Sequence, residues 1–188
     1  KEGVDDKLVI DRSLGKVIFF VSLGVSLVAG LIASGRYSWY LKSIHPTAFN
    51  LVEPVFHRDA SFYVFQFPWW NYTYEFLVTA IIFSLIGSFL LFVYDDALQL
   101  SGERFYIDYQ AVRLTGSLLG LLLLLKVAGY QLAAWGLLFS DHSLLTGASY
   151  TDVHAHLPGR HVAAVAALAA AGIVIFEIAR RKGVRFFA

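Results

Sequence analysis

The stretch LTGSLLGLLLLLKVAGYQLAAWGLLF, residues 114–139, decides the fold of this chain. Its twenty-six residues include one charge, Lys126, close to the middle. As a helix that rises about 1.5 Å per residue, the stretch is long enough to cross the roughly 30 Å hydrocarbon core of a bilayer. The sequence therefore predicts a transmembrane helix with an ammonium group near the membrane centre, where a charge is costly and normally faces a partner, a cavity or another subunit.

Composition supports a membrane protein independently of this stretch. Of the 188 residues, 57% are hydrophobic and 15% are charged, whereas soluble domains carry about 25% charged residues. The net charge of +1 gives no basic excess, so we expect no nucleic-acid partner. Cysteine is absent, which excludes disulfides, thiol catalysis and cysteine metal sites. A chain that starts at Lys1 and contains no methionine is typical of a fragment of a longer protein.

Three further apolar runs are long enough, or nearly so, to cross a bilayer. The predicted spans lie near residues 17–35, 76–94, 114–139 and 160–178. Each run carries small residues four apart, such as Gly116 and Gly120 in the third, which let membrane helices pack closely. We therefore predict an all-α fold: an integral membrane helical bundle of about four transmembrane helices in a single domain over residues 1–188. Its expected partners are the lipid bilayer and other membrane helices or subunits.

Lysine and arginine are distributed unevenly among the connections. Ten lie in the two terminal segments and in residues 95–113, and four lie in residues 34–75 and 140–161. Because cytoplasmic segments carry the basic excess, we expect a multi-pass protein of the cell membrane with both termini in the cytoplasm. Residues 34–75 and 140–161 then form the outer connections.

The connection from Arg36 to Phe76 is rich in aromatic residues. Tryptophan and tyrosine favour the boundary between lipid headgroups and water, and Pro46, Pro54 and Pro68 rule out one continuous helix. We predict short helical or extended pieces along that boundary, with a carbohydrate- or quinone-binding platform as the alternative. The predicted interfacial aromatic residues are Trp39, Tyr40, Phe62, Tyr63, Trp69 and Trp70.

Lys126 is the first residue that could carry a function. On a regular helix Tyr130, one turn further on, is its only local polar companion, and these two residues form the predicted intramembrane polar site. A structural lysine that reaches the interface, or that bonds carbonyls at a helix break near Gly129, is one interpretation. A proton or ion pathway and a contact with segments outside this chain are the others.

Histidines and carboxylates gather in residues 140–161. Asp152, His154 and His156 could bind one divalent cation if this piece is extended, because alternate residues of a strand point the same way. Their spacing matches no specific zinc pattern, and solvated histidines at a membrane surface are the simpler interpretation. The sequence contains no nucleophile elbow and no phosphate-binding glycine loop. It therefore favours a protein without catalytic function and identifies no cofactor.

Two blocks of the sequence resemble the uncharacterised protein family 0182. The first comprises WYL at residues 39–41, Phe49 and EPVFHRDASFYVFQFP at residues 53–68. The second comprises LLKVAGY at residues 124–130, LLFSD at 137–141 and GASYTDVHAHLP at 147–158. Glu53, His57 and Phe67 depart from the family pattern, in which Asp, Gly and Leu are usual.

The resemblance implies a large prokaryotic membrane protein with several N-terminal spans and a big extracytoplasmic region. This chain would be an internal part of the membrane domain. The family has no established activity, so it assigns no catalytic residue. We expect a structural or scaffold domain, or a subunit, of a larger envelope complex. A transporter or an ion or proton pathway component using Lys126 is one alternative, and a membrane anchor of an extracytoplasmic enzyme module is another.

Overall fold

The computed structural model describes the backbone of residues 2–94, 98–101, 104–107, 109–139, 141–142 and 145–180, and the side chains of residues 15–93, 110–139 and 147–180. Within these ranges five α-helices follow one another: α1 Glu2–Ser34, α2 Tyr37–Ile44, α3 Phe67–Tyr94, α4 Tyr109–Gly136 and α5 Leu157–Arg180. A short antiparallel hairpin stands between α3 and α4, and another between α4 and α5. Their strands are β1 Leu98–Ser101 with β2 Arg104–Ile107, and β3 Asp141–His142 with β4 Leu145–Thr146.

Four apolar helices among the described residues are long enough to cross a membrane, which confirms the predicted all-α membrane fold. They cover Gly15–Ser34, Phe62–Val93, Gln110–Phe139 and Asp152–Arg180. Many of their large apolar side chains are exposed, including Phe20 at 67%, Phe83 at 64% and Ile173 at 65%. Proteins surrounded by water rarely expose such large apolar patches, so this surface suits contact with lipid.

The chain forms two compact units, residues 1–47 and 48–188. The first unit contains α1 and α2, which are separated by a turn at Gly35 and Arg36. Helix α2 ends at Ile44, because Pro46 cannot continue a helix and also disfavours helical geometry in the residue before it. The Arg36 guanidinium lies 4.2 Å from the centre of the Trp39 ring.

In the second unit α4 packs against both α3 and α5, and the α4–α5 contact is the more extensive. Both pairs are antiparallel, because residues later in α4 contact residues earlier in α3 and in α5. Gly129 and Gly136 of α4 approach Tyr74 and Phe67 of α3, and Gly116 and Gly120 approach Ile178 and Ile175 of α5. Helices α3 and α5 therefore begin at the end of the unit where α4 ends. We call this the proline end, after Pro68 and Pro158 in the first turns of α3 and α5.

Helices α3 and α5 begin in the same way, with one turn of π-helix over Phe62–Gln66 and Asp152–His156. The Phe67 N–H donates to the Phe62 carbonyl, and the Leu157 N–H donates to the Asp152 carbonyl. The next residue is proline in both cases. Proline has no N–H and its ring clashes with the carbonyl four residues earlier. The wider π turn relieves that clash, and this explains why the π geometry occurs immediately before each proline.

The parallel extends further back along the chain. His57 has a φ of +55° and Gly147 has a φ of +134°, and each stands eleven residues before its proline. The left-handed region favours glycine, the residue that the family resemblance implies is usual at position 57.

The helices of the second and fourth predicted spans, α3 and α5, begin earlier than those spans. Helix α3 starts at Phe67 and α5 at Leu157, instead of near residues 76 and 160. Pro68 does not break this helix, because proline is tolerated in the first turn of a helix, where its missing N–H has no helical partner. Trp69 and Trp70 therefore lie in the first turn of a membrane helix and not in a connection.

Candidate functional site

An aromatic cluster holds the proline end together. Phe62 and Tyr63 are only 8% and 7% exposed. The ring centre of Phe62 lies 5.0 Å from that of Trp135, and the ring centre of Tyr63 lies 6.1 Å from that of Phe139, both edge-on. Such pairs contribute about 0.5–1.5 kcal/mol beyond the burial of their area. These two residues, predicted as interfacial, lie in the core of the second unit.

The other predicted interfacial aromatic residues are more accessible. Trp70 of α3 is 53% exposed and Tyr40 of α2 is 40% exposed. Trp69 and Trp39 are half-buried. Their role at the membrane interface stays a prediction.

Arg58 ties the segment before α3 to the end of α4. Its guanidinium carbon lies 4.4 Å from the ring centre of Phe62 and 4.5 Å from that of Trp135. A cation over an aromatic face contributes about 0.5–1 kcal/mol at an exposed site. Sequence reasoning missed this residue, because its partner Trp135 is far away along the chain.

Two carboxylates shape the same segment. Glu53 accepts a hydrogen bond of 2.8 Å from the Phe56 N–H. Asp59 accepts bonds of 2.8 Å from the Ser61 N–H and 3.2 Å from the Phe49 N–H. The bond from Ser61 is the main reason why the pKa of Asp59 is lowered below its ordinary value of 3.8. Both carboxylates are therefore bound to backbone groups of their own segment.

Asp152 is likewise engaged by its own backbone neighbourhood. Its carboxylate accepts bonds of 2.9 Å from both the N–H and the hydroxyl of Ser149, and its own N–H donates to the Ser149 hydroxyl at 3.2 Å. This reciprocal pairing three residues apart is a capping box. Asp152 is 5% exposed, so the carboxylate is buried and used to start the helical segment.

His154 and His156 stand on the π turn that Asp152 begins. The Nδ1 atom of His154 lies 3.0 Å from the carbonyl oxygen of Tyr150, and its ring stacks on the Tyr150 ring at 3.9 Å. His156 is exposed. The piece is helical and not extended, so the strand alternation behind the metal hypothesis does not apply. Among the described residues, no three histidines or carboxylates are grouped as a metal site, and metal binding by Asp152, His154 and His156 stays a prediction.

Arg160 fastens α5 to α4. From the first turn of α5 its Nη1 atom donates a hydrogen bond to the carbonyl oxygen of Ala133. Ala133 belongs to the last turn of α4, where carbonyls lack partners within the α-helix and the helix dipole favours a cation. This contact was also missed by sequence reasoning, which counted Arg160 only as a charge in a connection.

The predicted packing glycines lie where α4 meets α5. A Cβ atom at Gly116 would stand 2.8 Å from the Cδ1 atom of Ile178, and one at Gly120 would stand 3.4 Å from the Cγ1 atom of Ile175. Gly129, by contrast, faces α3: its neighbour is the phenol of Tyr74. Helix α4 continues without a break through Gly129, so this glycine permits a close approach and is not a helix break to which Lys126 could bond.

Lys126 lies near the middle of the span Gln110–Phe139 and its side chain is exposed. Within the part of the chain that the structure describes, no hydrogen bond or ion pair reaches its ammonium group. Tyr130, one turn on, is half-buried. The predicted intramembrane site is therefore a solitary cation on the surface of a membrane helix.

The profile of an uncharacterised protein family, UPF0182, matches residues 3–188. A UPF0182 protein of Moorella thermoacetica is 32% identical over 97% of this chain and 20% of its own length. One of Frankia alni is 38% identical over 92% of this chain and 17% of its own length. One of Corynebacterium glutamicum is 32% identical over 85% of this chain and 16% of its own length.

The chain thus spans about a fifth of the length of these curated relatives. No solved structure shows a significant match. The match over residues 3–188 covers nearly the whole chain and confirms the resemblance of the two sequence blocks. The chain belongs to the uncharacterised protein family UPF0182, and it spans part of the length of the relatives compared.

Proposed function

We propose that this chain is a structural domain of a larger multi-pass protein of the cell membrane, and that it holds neighbouring membrane helices or subunits in place. The observation that carries the proposal is the use of charged groups at the proline end. Arg58 lies over the rings of Phe62 and Trp135, Arg160 binds a helix carbonyl, and Asp59 and Asp152 bind backbone N–H groups. The two arginines brace one element against another, and the two carboxylates fix the backbone of their own segments. Side chains used in this way suit a scaffold.

The orientation of the scaffold is part of the proposal. The ten-to-four distribution of basic residues supports cytoplasmic termini, with the proline end facing outward. Single cysteines in place of Ser43 and of Tyr150, which is 78% exposed, should react with an impermeant maleimide on intact cells. A cysteine in place of Ser101 should react only after the cells are opened. Labelling in intact cells of the Ser101→Cys variant alone would contradict the proposed orientation and indicate the opposite one.

An ion or proton pathway is the second candidate, and the exposed Lys126 favours it. Cations within membrane spans often mark pathways for protons or ions. A pathway lysine would exchange its proton with an aqueous cavity or with a second titratable group. The two candidates differ in what Lys126 does. In a scaffold it binds a partner group, and in a pathway it takes up and releases protons or interacts with passing ions.

Flux and stability measured on one preparation separate the candidates. The full-length protein is reconstituted into vesicles, and proton and ion flux are recorded for the wild type and for Lys126→Met. The scaffold proposal expects no flux above empty vesicles in either protein. Flux in the wild type that Lys126→Met abolishes, at an unchanged melting temperature, would establish the pathway instead.

The bracing groups give the scaffold proposal its own test. Arg160→Gln should lower the melting temperature of the full-length protein and the yield of neighbouring subunits that purify with it. Arg113→Gln is the matched control, because Arg113 is an exposed arginine of α4 at the opposite end of the unit. Equal behaviour of the two variants would contradict a bracing role.

A further inference from the structure

One face of α4 is covered by neither α3 nor α5. Thr115, Leu119, Lys126 and Ala133 follow one another at intervals of four and seven residues, which places them on one side of a helix. All four side chains are exposed, and α5 reaches this face at its end, where Arg160 bonds the Ala133 carbonyl. We call this face the Lys126 stripe. The glycines that meet α3 and α5 lie on the two flanks of α4, so the stripe is open between them.

Because Lys126 lies near the middle of its span, leaving this face exposed to lipid costs free energy. The residue is near the middle of its span, about half of the roughly 30 Å hydrocarbon core away from either surface. Its four-carbon stem is too short to carry the ammonium to the headgroups from there. A lone cation at that depth costs a few kcal/mol or more, so membrane proteins normally give it a partner.

The described spans supply no such partner. The span Gly15–Ser34 contains no Asp or Glu. In α3 the Glu75 carboxylate accepts a bond of 2.8 Å from the Asn71 amide, and in the π turn before α5 Asp152 is buried in its capping box. Glu177 lies three residues before the end of α5, and α5 approaches α4 there at Gly116, far from the level of Lys126.

We propose that the Lys126 stripe docks a further transmembrane helix of the same polypeptide, outside residues 1–188, and that this helix carries an Asp or Glu near its middle. Charge complementarity selects the carboxylate, and the curated relatives, about five times as long as this chain, contain the additional sequence. A second copy of this face is a poor occupant, because it would bring Lys126 towards another Lys126. The inference rests on the proposed scaffold function and names its partner.

The shape of the stripe suits a helix. Without a hydrophobic driving force in lipid, membrane helices associate where small residues let backbones approach and where polar groups bond across the contact. Thr115 and Ala133 are small residues above and below Lys126 on the stripe. An ammonium and a carboxylate paired in this low-dielectric setting satisfy each other, whereas removal of one leaves the other buried and unpaired.

Site-specific photocrosslinking tests the docking directly. A benzophenone amino acid replaces Leu119 on the stripe, or Leu121 on the opposite exposed face as the control, in the full-length protein in native membranes. These side chains are 42% and 49% exposed, so both probes reach the surroundings of α4. The stripe probe should yield, several-fold above the control, a peptide from outside residues 1–188 whose apolar run contains an Asp or Glu near its centre.

Isotope labelling distinguishes the possible sources of that peptide. When light and heavy copies are expressed together, a helix of the same polypeptide gives only light–light and heavy–heavy crosslinks. Mixed crosslinks, a peptide from a different protein or attachment to lipid alone would each overturn the proposal.

A charge exchange then identifies the partner. Lys126→Glu should lower the yield of folded full-length protein several-fold, and a lysine at the crosslinked acid should restore most of it. Lack of restoration would overturn the pairing. These results are independent of the flux test. Crosslinking to lipid alone would refute the docked helix, whereas flux that depends on Lys126 would refute the scaffold function.

Discussion

The phenol of Tyr74 lies against Gly129 so closely that no side chain fits between α3 and α4 at this level. A Cβ atom at 129 would overlap the Tyr74 hydroxyl and would lie 2.7 Å from the Cε2 atom of its ring. Gly129 of α4 and Tyr74 of α3 meet about two helical turns from the proline end, where Gly136 approaches Phe67. The packing of the unit therefore depends on the absence of a side chain at one position.

Gly129→Ala should destabilise the full-length protein by about 1–3 kcal/mol, because the added methyl group forces the Tyr74 ring to move. This direction opposes the usual helix preference of alanine over glycine, which is about 1 kcal/mol. Unfolding in detergent measures the change. Gly172→Ala in α5 is the control, since no atom lies within 4 Å of a Cβ there. Tyr74→Leu should recover stability in the Gly129→Ala background; equal stability of the two single alanine variants would refute the contact.

Gly116→Ala should cost less than Gly129→Ala. Its Cβ would meet the terminal methyl group of Ile178 at 2.8 Å, and that methyl group can rotate away, whereas the Tyr74 ring is stiff. We expect a loss of roughly 1 kcal/mol or less. Unfolding of the two variants under the same conditions gives the order, and a larger loss at position 116 would show that Ile178 cannot yield.

Ser149→Ala should destabilise the start of α5 by about 1 kcal/mol, because it removes the hydroxyl that both donates to the Asp152 carboxylate and accepts from its N–H. Asp152→Ala should cost a similar amount, and the double variant should lose less than the sum, since the two residues form one unit. Thr151→Ala is the control, because the structure shows no cap hydrogen bond from this exposed side chain. Additive losses would argue against a reciprocal cap.

Elemental analysis of the purified full-length protein tests the metal hypothesis for Asp152, His154 and His156. Since Asp152 is buried and bonded to Ser149, we expect any bound zinc, manganese, nickel or iron to be substoichiometric and unaffected by the combined His154→Ala and His156→Ala changes. Stoichiometric metal that disappears in the double variant would establish a site that opens the capping box.

The stability of the segment before α3 should depend on pH through Asp59. Its pKa in the folded protein lies below the ordinary 3.8, chiefly because the Ser61 N–H donates to the carboxylate. A lowered folded pKa stabilises the fold above pH 3.8, and this contribution is lost as the pH falls through the folded pKa. Asp59→Asn should therefore be less stable than the wild type at neutral pH, with a difference that shrinks in acid. A difference in melting temperature that stays constant throughout the acid range would exclude this role.

The sequence by itself determined the class of the fold and the number of spans. Hydropathy and run length are local properties, and a run such as residues 114–139 has to form its backbone hydrogen bonds within itself wherever it crosses lipid. The two family blocks were also readable, because they are contiguous strings of residues. The helix starts at Phe67 and Leu157 could not be predicted from the sequence, because a proline such as Pro68 or Pro158 is compatible with either a helix break or the first turn of a helix.

Only the tertiary structure decided which residues meet. Arg58 with Trp135, Arg160 with Ala133 and Tyr74 with Gly129 are pairs from separate elements, and no spacing rule links them. For the same reason Phe62 and Tyr63 could be called interfacial from sequence and yet lie buried. The exposure of Lys126 was decided in the same way: a helix has several faces, and which of them stays open depends on where its neighbours pack.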